Sequence, residues 1–345
     1  MENNLELEKN QAKEAKKENL DNIHFIDSNS GTVVLPSLVI PQEENDLDLK
    51  PDFYVNGYET LRDAVRHIKH YEIADDYNEV LQDLDYQSEF WLKFIAKFKS
   101  VHWIHLLRQV QIFPEYLSSD DLKKSIKKLL INGLIQRWSY NPKTYEKRVY
   151  VYTLTGHGFR FLKRFYPDYY FDPQNFLNLT TSFHIRFWET VDVFQSLLSL
   201  PAYNDSTTLF HGDRLLVPSP LQVNIDLSKN KPKNLVIYPT LQEDGENYYK
   251  KIVTKWSQFI EQEGNHPSIN SLSSGVVILT FYTPTIKRAL ELNEKLQLTK
   301  FSFASVFIVG EMMVKEGISR SFYLPDRKEG GLRHYEFKNI MQEND

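Results

Sequence analysis

The sequence contains no cysteine among its 345 residues. Disulfide bonds, thiolate catalysis and cysteine-ligated zinc are therefore excluded. Long apolar runs are also missing, since none approaches the ~20 consecutive apolar residues that cross a bilayer. The first residues show no basic stretch followed by an apolar one, which is the pattern of a secretory signal. We therefore expect a cytoplasmic protein with no membrane partner.

The net charge of −5 is unevenly distributed along the chain. Residues 1–87 hold 8 Lys+Arg and 20 Asp+Glu, residues 88–166 hold 15 and 5, and residues 167–345 hold 18 and 21. At physiological ionic strength electrostatic fields decay over ~8 Å, so a basic face acts locally whatever the total charge is. The distribution favours nucleic-acid contact by the central segment.

Within residues 88–166, apolar residues recur at helical spacing and turn residues separate the runs. A first helix is predicted over Phe90 to Phe98, and a second short helical run begins at Val101. After a turn, Ser118 or Ser119 offers the N-cap of a third helix.

The third helix separates apolar from basic residues. One face carries the residues that would pack on the two preceding helices, Leu122, Ile126, Leu129 and Leu130. The opposite side carries Lys123, Lys124, Lys127 and Lys128. Gly133 is expected to end the helix.

Two runs rich in strand-forming residues follow, Leu134 to Tyr140 and Arg148 to Leu154. The intervening residues Asn141 to Thr144 are typical of a turn, so the segment predicts a β-hairpin. Aromatic and basic residues alternate along it, which places one set toward the core and the other outward. A further helix is expected to start from Thr155, with Gly156-x-Gly158 in its first turn.

The order of three helices, Asn132-Gly-Leu-Ile135, hairpin and Tyr152-x-Leu-Thr-x-x-Gly158 resembles the winged helix-turn-helix DNA-binding domains of bacterial regulators. The resemblance implies that the third helix enters the major groove and that the hairpin, or wing, contacts the adjacent backbone. A winged helix used only for protein contact is the alternative. The candidate DNA-binding residues are Ser119, Lys123, Lys124, Lys127, Lys128, Arg137, Lys143, Lys147 and Arg148.

The second half alternates strand-like and helical segments, which predicts a mixed sheet flanked by helices. An amphipathic helix is expected over Phe183 to Leu200, and Pro201 ends it. Extended runs are predicted at Leu215–Val217, Val223–Leu227, Leu235–Tyr238, Val276–Phe281 and Ala304–Val309. Helices are predicted over about Asn247 to Glu263 and Thr285 to Leu298. The fold class is therefore α+β.

Composition divides the chain into segments. The predicted segments are 1–50, mostly disordered and acidic; 51–87, acidic and helical; 88–166, the winged helix-turn-helix; 172–325, an α/β domain; and 326–345, a tail. An edge strand is expected within Gly31 to Ile40 and a helix over Tyr58 to His70. The acidic run Asp75 to Asp85 suits a solvated face; the alternative is a shield over the basic DNA surface.

The order of elements in residues 182–310 resembles the second half of the replication-relaxation family, plasmid and mobile-element proteins that place a winged helix before a restriction-endonuclease-like domain. His184 is similar to the histidine that opens this half. Lys251 and Lys255 lie on the helix after the strand that would carry the acids. The resemblance implies a restriction-endonuclease-like fold for this domain.

A metal-dependent nuclease needs carboxylates that converge on a hard cation. Ser219, Ile237 and Pro239 stand where the resemblance requires Asp or Glu. We therefore expect an inactive nuclease-like domain with no catalytic residue, metal or cofactor. Three acids remain nearby, with surface solvation favoured over a relocated metal site: Asp226, Glu243 and Asp244.

Two histidine pairs, His67-x-x-His70 and His102-x-x-His105, could each place two imidazoles on one helical face, as metal sites do. Neither pair has a suitably placed acid beside it in the sequence. Half-buried or solvent-facing histidines are therefore the favoured interpretation.

The basic segment favours DNA binding, and the resemblance to the replication-relaxation family implies a sequence-specific DNA-binding protein of a bacterial plasmid or mobile element, a non-enzymatic accessory factor in replication or conjugative transfer. Its expected partners are double-stranded DNA, a second copy of the chain, and a relaxase or replication protein. A winged-helix transcription repressor is the first alternative. A metal-dependent nuclease or relaxase accessory is the second.

Overall fold

The structure is a computed structural model that describes eight segments of the chain: residues 47–52, 71–141, 148–167, 179–209, 216–226, 232–263, 272–326 and 331–335. It is a mixed α+β fold with two sheets. The expected strand within Gly31 to Ile40 and helix over Tyr58 to His70 lie outside the described residues. In the part of the chain that the structure describes, no helix combines the length and apolarity needed to cross a bilayer.

The first half builds a four-stranded sheet in the order β1-β3-β4-β2 with helices packed around it. Its elements are β1 (Lys50–Pro51), α1 (Ala74–Asp83), α2 (Tyr86–Phe98), β2 (Ser100–His102), α3 (Trp103–Ile112), α4 (Ser119–Ile131), β3 (Ile135–Tyr140), β4 (Val149–Leu154) and α5 (Gly156–Phe165). The hairpin prediction is confirmed, because β3 and β4 pair antiparallel from Ile135 opposite Leu154 to Tyr140 opposite Val149.

The start of the second helix was predicted too early. Ser100 to His102 form a strand that pairs antiparallel with β4, so Val101 lies opposite Tyr152 and is fully buried. The helix α3 begins only at Trp103. The apolar spacing was correct, but β4 supplies a pairing partner that local periodicity does not reveal.

Both ends of α4 follow the sequence signals. The N-cap is Ser118, whose Oγ accepts a hydrogen bond from the Asp121 amide at 3.4 Å. At the other end Gly133 adopts a φ of 61°, a conformation that favours glycine. The amides of Gly133 and Leu134 then donate to the carbonyls of Leu130 and Leu129.

The Thr-x-x-Gly motif fastens the start of α5 to the end of α4. Thr155 Oγ1 accepts from the Gly158 amide at 3.0 Å and lies 2.6 Å from the Gly133 carbonyl oxygen. A Cβ on Gly158 would lie only 2.1 Å from the carbonyl oxygen of Leu134. Gly158 is therefore required for the close approach of α5 to the polypeptide that precedes β3.

The second half builds a seven-stranded sheet in the order β11-β10-β9-β8-β7-β6-β5. Its elements are α6 (Thr181–Leu197), β5 (Tyr203–Thr207), β6 (Leu221–Asp226), β7 (Pro232–Pro239), α7 (Glu246–Glu263), β8 (Val276–Thr283), α8 (Ile286–Leu296), β9 (Ser305–Val309), α9 (Gly310–Glu316), β10 (Phe322–Pro325) and β11 (Leu332–Tyr335). Short 3-10 turns occur at Leu298–Lys300 and Ile318–Arg320. Strands β7, β8 and β9 are parallel, and the outer pairings are antiparallel.

Several edge elements escaped the sequence analysis. Strand β5 reads Tyr-Asn-Asp-Ser-Thr and β11 reads Leu-Arg-His-Tyr, so neither shows the apolar run or alternation that marks a strand. Of the extended run predicted at Leu215–Val217, Leu216 and Val217 form no strand, and Leu215 lies outside the described residues. Edge strands depend on a partner strand already in place, and the sequence does not display that partner.

Helix α6 is buried around most of its circumference, so its description as amphipathic was wrong. It packs against β2 and α3 of the first half and against β7 of the second. One hydrophobic core runs from α2 and α4 through Val191 and Phe194 of α6 to Leu221 and Leu235 of the large sheet. The helix ends at Leu197, shortly before the expected Pro201.

Buried polar groups join α3 to α6. Arg108 is fully buried, and its Nη1 donates to Asp192 at 3.2 Å and to Gln195 Oε1 at 2.8 Å. His105 is also buried, with Nε2 2.8 Å from Asp192 Oδ1. Next to this group, Ser100 Oγ lies 2.8 Å from His184 Nδ1.

Substitution of Gly158 by alanine should destabilise the protein by about 3 kcal/mol, because the new Cβ must displace backbone at Leu134. Gly245→Ala is the matched control, since nothing lies within 4 Å of its Cβ position. Urea unfolding of the two variants measures the difference. Equal stabilities would contradict the close packing of α5 on Leu134.

Acid should weaken the fold through the buried histidines. Burial lowers the pKa of His184 to about 3 and also lowers the pKa values of His102 and His105. A histidine whose folded pKa is depressed stabilises the fold fully above its unfolded pKa of about 6.5, and this stability is lost as pH falls toward the folded pKa. Between its unfolded and folded pKa values, each such histidine should lower the free energy of unfolding by up to about 1.4 kcal/mol for each pH unit of acidification.

The measurement is urea unfolding at about pH 6.5 and about pH 4.5. His184→Gln should lose less stability than the parent protein over this interval. His334→Gln, which changes an exposed histidine, should behave as the parent does. An unchanged slope in the His184 variant would show that this imidazole is not held neutral.

Candidate nucleic-acid interface

Helix α4 presents an exposed lysine face, defined here as Lys123, Lys124 and Lys127. The opposite face is buried in the core through Leu122, Ile126 and Leu129. Among the described residues, neither Lys123 nor Lys127 has a carboxylate partner. The structure thus places two ammonium groups on one exposed side of a helix whose ends are fixed by Ser118 and Gly133.

Lys124 makes an exposed ion pair within the same helix. Its Nζ lies 3.2 Å from a carboxylate oxygen of Asp121. Exposed pairs of this kind contribute at most about 1 kcal/mol, because water screens both charges. Lys124 can therefore exchange Asp121 for a phosphate at small cost.

Lys128 is engaged within the fold, which disfavours its predicted role as a DNA contact. Its Nζ donates to the Asp83 carbonyl at 2.8 Å and to the Asp85 carboxylate at 3.0 Å, and its side chain is only 28% exposed. Burial opposes ionisation of Asp85, but hydrogen bonds from Ser88 and the Lys128 ammonium hold the pKa of Asp85 below its usual value. These contacts fix the end of α4 to the α1–α2 junction, so we remove Lys128 from the candidate set.

Arg137 is likewise part of the fold rather than of an open surface. Its Nη2 lies 3.1 Å from Asp52, and its guanidinium lies over the Tyr150 ring with 4.7 Å between the guanidinium carbon and the ring centroid. Only 13% of the side chain is exposed. The Asp52 amide also donates to the Arg137 carbonyl, continuing the pairing of β1 with β3. Arg137 therefore also leaves the set.

The remaining candidates come from the start of α4 and from the predicted wing. Ser119 is exposed as the first residue of α4, and Arg148 is exposed directly before β4. Lys143 and Lys147, which were predicted to belong to the wing, lie outside the described residues. The structure therefore places Ser119, Lys123, Lys124, Lys127 and Arg148 on the exterior.

A second basic group was missed by the sequence analysis. Arg160, Lys163 and Arg164 are exposed on α5 and line a shallow depression of about 330 Å3 together with Ala74 and Tyr77. Their i, i+3, i+4 spacing places them on one helical face. That spacing was visible in the sequence.

In the second half, the three residues that stand where the resemblance requires Asp or Glu are all buried. Ile237 and Pro239 belong to β7, and Ser219 Oγ donates to the Ile237 carbonyl at 2.6 Å. Of the candidate lysines on α7, Lys251 is exposed and Lys255 is partly buried. The side chains of Ser219, Ile237 and Pro239 are thus packed inside the protein.

Asp244 was expected to be a solvated acid, and the structure corrects this. It is paired with Arg186 and accepts hydrogen bonds from the Tyr249 hydroxyl at 2.7 Å and the Leu241 amide at 2.9 Å. Asp244 therefore ties the loop after β7 to α6. Glu243 is exposed and Asp226 is partly buried at the end of β6.

Within the described segments, no group of three or more histidine or carboxylate side chains is arranged to hold a metal ion. His102 Nε2 lies 3.1 Å from the Tyr140 hydroxyl oxygen, and His105 interacts with Asp192. Both imidazoles are fully buried near the α3–α6 contact, so the expectation of half-buried or solvent-facing histidines was wrong for this pair. His67 and His70 lie outside the described residues.

Comparisons of this chain with family models, curated proteins and solved structures give no match. The resemblance to the replication-relaxation family stays a prediction. The lysine face of α4 and the adjoining hairpin are the features from which a function can be argued.

Proposed function

We propose that the chain binds double-stranded DNA through residues 88–166, folded as a winged helix-turn-helix with α4 as the recognition helix. The observation that carries this proposal is the exposure of Lys123 and Lys127, without carboxylate partners in the described chain, opposite the buried face of α4. The antiparallel hairpin that follows α4 suits a wing.

The chemistry of this face matches a phosphate backbone. Each lysine that neutralises a phosphate releases condensed counterions, which makes binding favourable and dependent on salt. Arg148 lies at the turn end of the hairpin, directly before Val149, where its charge would meet the backbone beside the groove. Sequence preference would come from residues at the start of α4, where Ser119 is exposed.

We infer that the second half is a non-enzymatic, nuclease-like domain that serves self-association or binding of a relaxase or replication protein. Support comes from Ile237 and Pro239, which cannot ligate a cation through their side chains. The cellular role would be accessory to plasmid replication or conjugative transfer. Footprinting across a genome separates an origin or transfer site from a promoter, which would favour a repressor.

Double reversal of Lys123 and Lys127 to glutamate should lower affinity for a mixed-sequence DNA duplex by about a hundredfold or more and reduce the salt slope by about 2. The matched control is Lys287→Glu with Lys300→Glu, which makes the same charge change on exposed lysines of the second half. Fluorescence anisotropy over a salt series measures both quantities. Equal losses in the two double variants would mean that net charge, not the lysine face, governs binding.

The purified protein should not cleave single- or double-stranded DNA in the presence of magnesium or manganese. The reason is that the proposed domain lacks converging carboxylates at Ser219, Ile237 and Pro239. Nicking of supercoiled DNA is the assay, with Asp226→Ala and Glu243→Ala as paired variants. Metal-dependent nicking that disappears in either variant would overturn the non-enzymatic proposal.

A further inference from the structure

A cavity of about 620 Å3 lies where α2 and α3 meet α6 and β5. Its walls are mainly aromatic and aliphatic, formed by Phe90, Phe94, Phe98, Phe113, Phe194 and Leu198. A volume of this size falls within the 300–1,000 Å3 of small-molecule sites, which are usually apolar with a few placed polar groups. The cavity thus has the size and lining of a ligand site.

Lys97 supplies a cation to this apolar space. Its ammonium lies 4.9 Å from the ring centroid of Phe194 and 5.3 Å from that of Phe98. Across the described segments, no carboxylate pairs with it. Burial lowers the pKa of Lys97 to about 8, which reflects the cost of a cation held without a counter-charge.

Several other polar groups that line the cavity have contacts of their own. Lys93 lies 3.5 Å from Glu89, and Lys99 lies over the Phe187 ring. Tyr203 donates its hydroxyl hydrogen to Ser206 at 2.8 Å. Lys97 therefore presents a cation to an occupant of the cavity, beside Lys93 and Lys99.

We propose that this cavity binds a small molecule with an aliphatic or aromatic body and a single carboxylate that pairs with Lys97. The apolar body would bury itself against the phenylalanine rings, and the carboxylate would supply the missing counter-charge. An uncharged ligand would leave Lys97 unpaired, and a cationic ligand would be repelled. This inference does not depend on DNA binding.

Isothermal titration calorimetry with decanoate and 4-phenylbutyrate tests the proposal, with decan-1-ol and decyltrimethylammonium as matched probes. We expect one site, at which decanoate binds at least about tenfold more tightly than decan-1-ol. The decanoate preference should fall as pH rises from about 7 to about 9, because Lys97 loses its proton in this range. The other titratable groups facing the cavity are Lys93, Lys99 and Tyr203, and burial raises the pKa of Tyr203.

Substitutions of Lys97 test whether this residue causes the preference for decanoate over decan-1-ol. Lys97→Met should abolish the preference for decanoate over decan-1-ol while leaving decan-1-ol binding in place, and Lys97→Arg should retain it. Lys300→Met, at an exposed residue that does not line the cavity, is the control. Near-UV circular dichroism checks that each variant is folded.

Three results would overturn the proposal: neither carboxylate binds, decan-1-ol binds as tightly as decanoate, or Lys97→Met leaves the preference unchanged. Many ligands bound per chain would also overturn it, because that indicates adsorption to exposed apolar surface. Since no DNA is present in these titrations, their outcome is independent of the test of the lysine face.

Discussion

The buried ion pair between Arg108 and Asp192 constrains how the two halves of the molecule meet. Arg108 has no exposed surface, and its Nη1 is shared between Asp192 and Gln195 of α6. A buried guanidinium without its partner would cost about 3–5 kcal/mol. Helix α3 can therefore pack on α6 only in the register that brings these groups together, and alternative registers are disfavoured.

The position of α6 then determines both candidate surfaces. Trp188 of α6 donates its indole hydrogen to Ser100 and stacks on Tyr140, which holds β2 and β3 against the helix. Further along α6, Phe194 lies against Phe98 and forms part of the cavity wall beside Lys97. The exposed side of α4 faces outward because its apolar side is committed to the same core.

Local signals sufficed where the partners that fix a helix end lie close in sequence or directly across the hairpin. Ser118, Gly133 and Thr155 mark helix ends through contacts with residues nearby in sequence or just across the hairpin. The sequence did not reveal ion pairs whose partner is distant along the chain, such as Lys128 with Asp85 and Arg137 with Asp52. The cavity was also unpredictable, because its walls come from elements that only the tertiary fold assembles.

The ion pairs of the basic residues show that only part of the positive charge in residues 88–166 is available to a ligand. The net charge of +10 in residues 88–166 counts Lys128 and Arg137 as free, although acids from residues 1–87 neutralise both. Lys128 cannot turn toward DNA without leaving Asp85 and its hydrogen bond to the Asp83 carbonyl, whereas the exposed pair of Lys124 with Asp121 can be exchanged at a cost of about 1 kcal/mol or less. Asp52 and Asp85 therefore act as anchors for particular cations rather than as a shield over the lysine face.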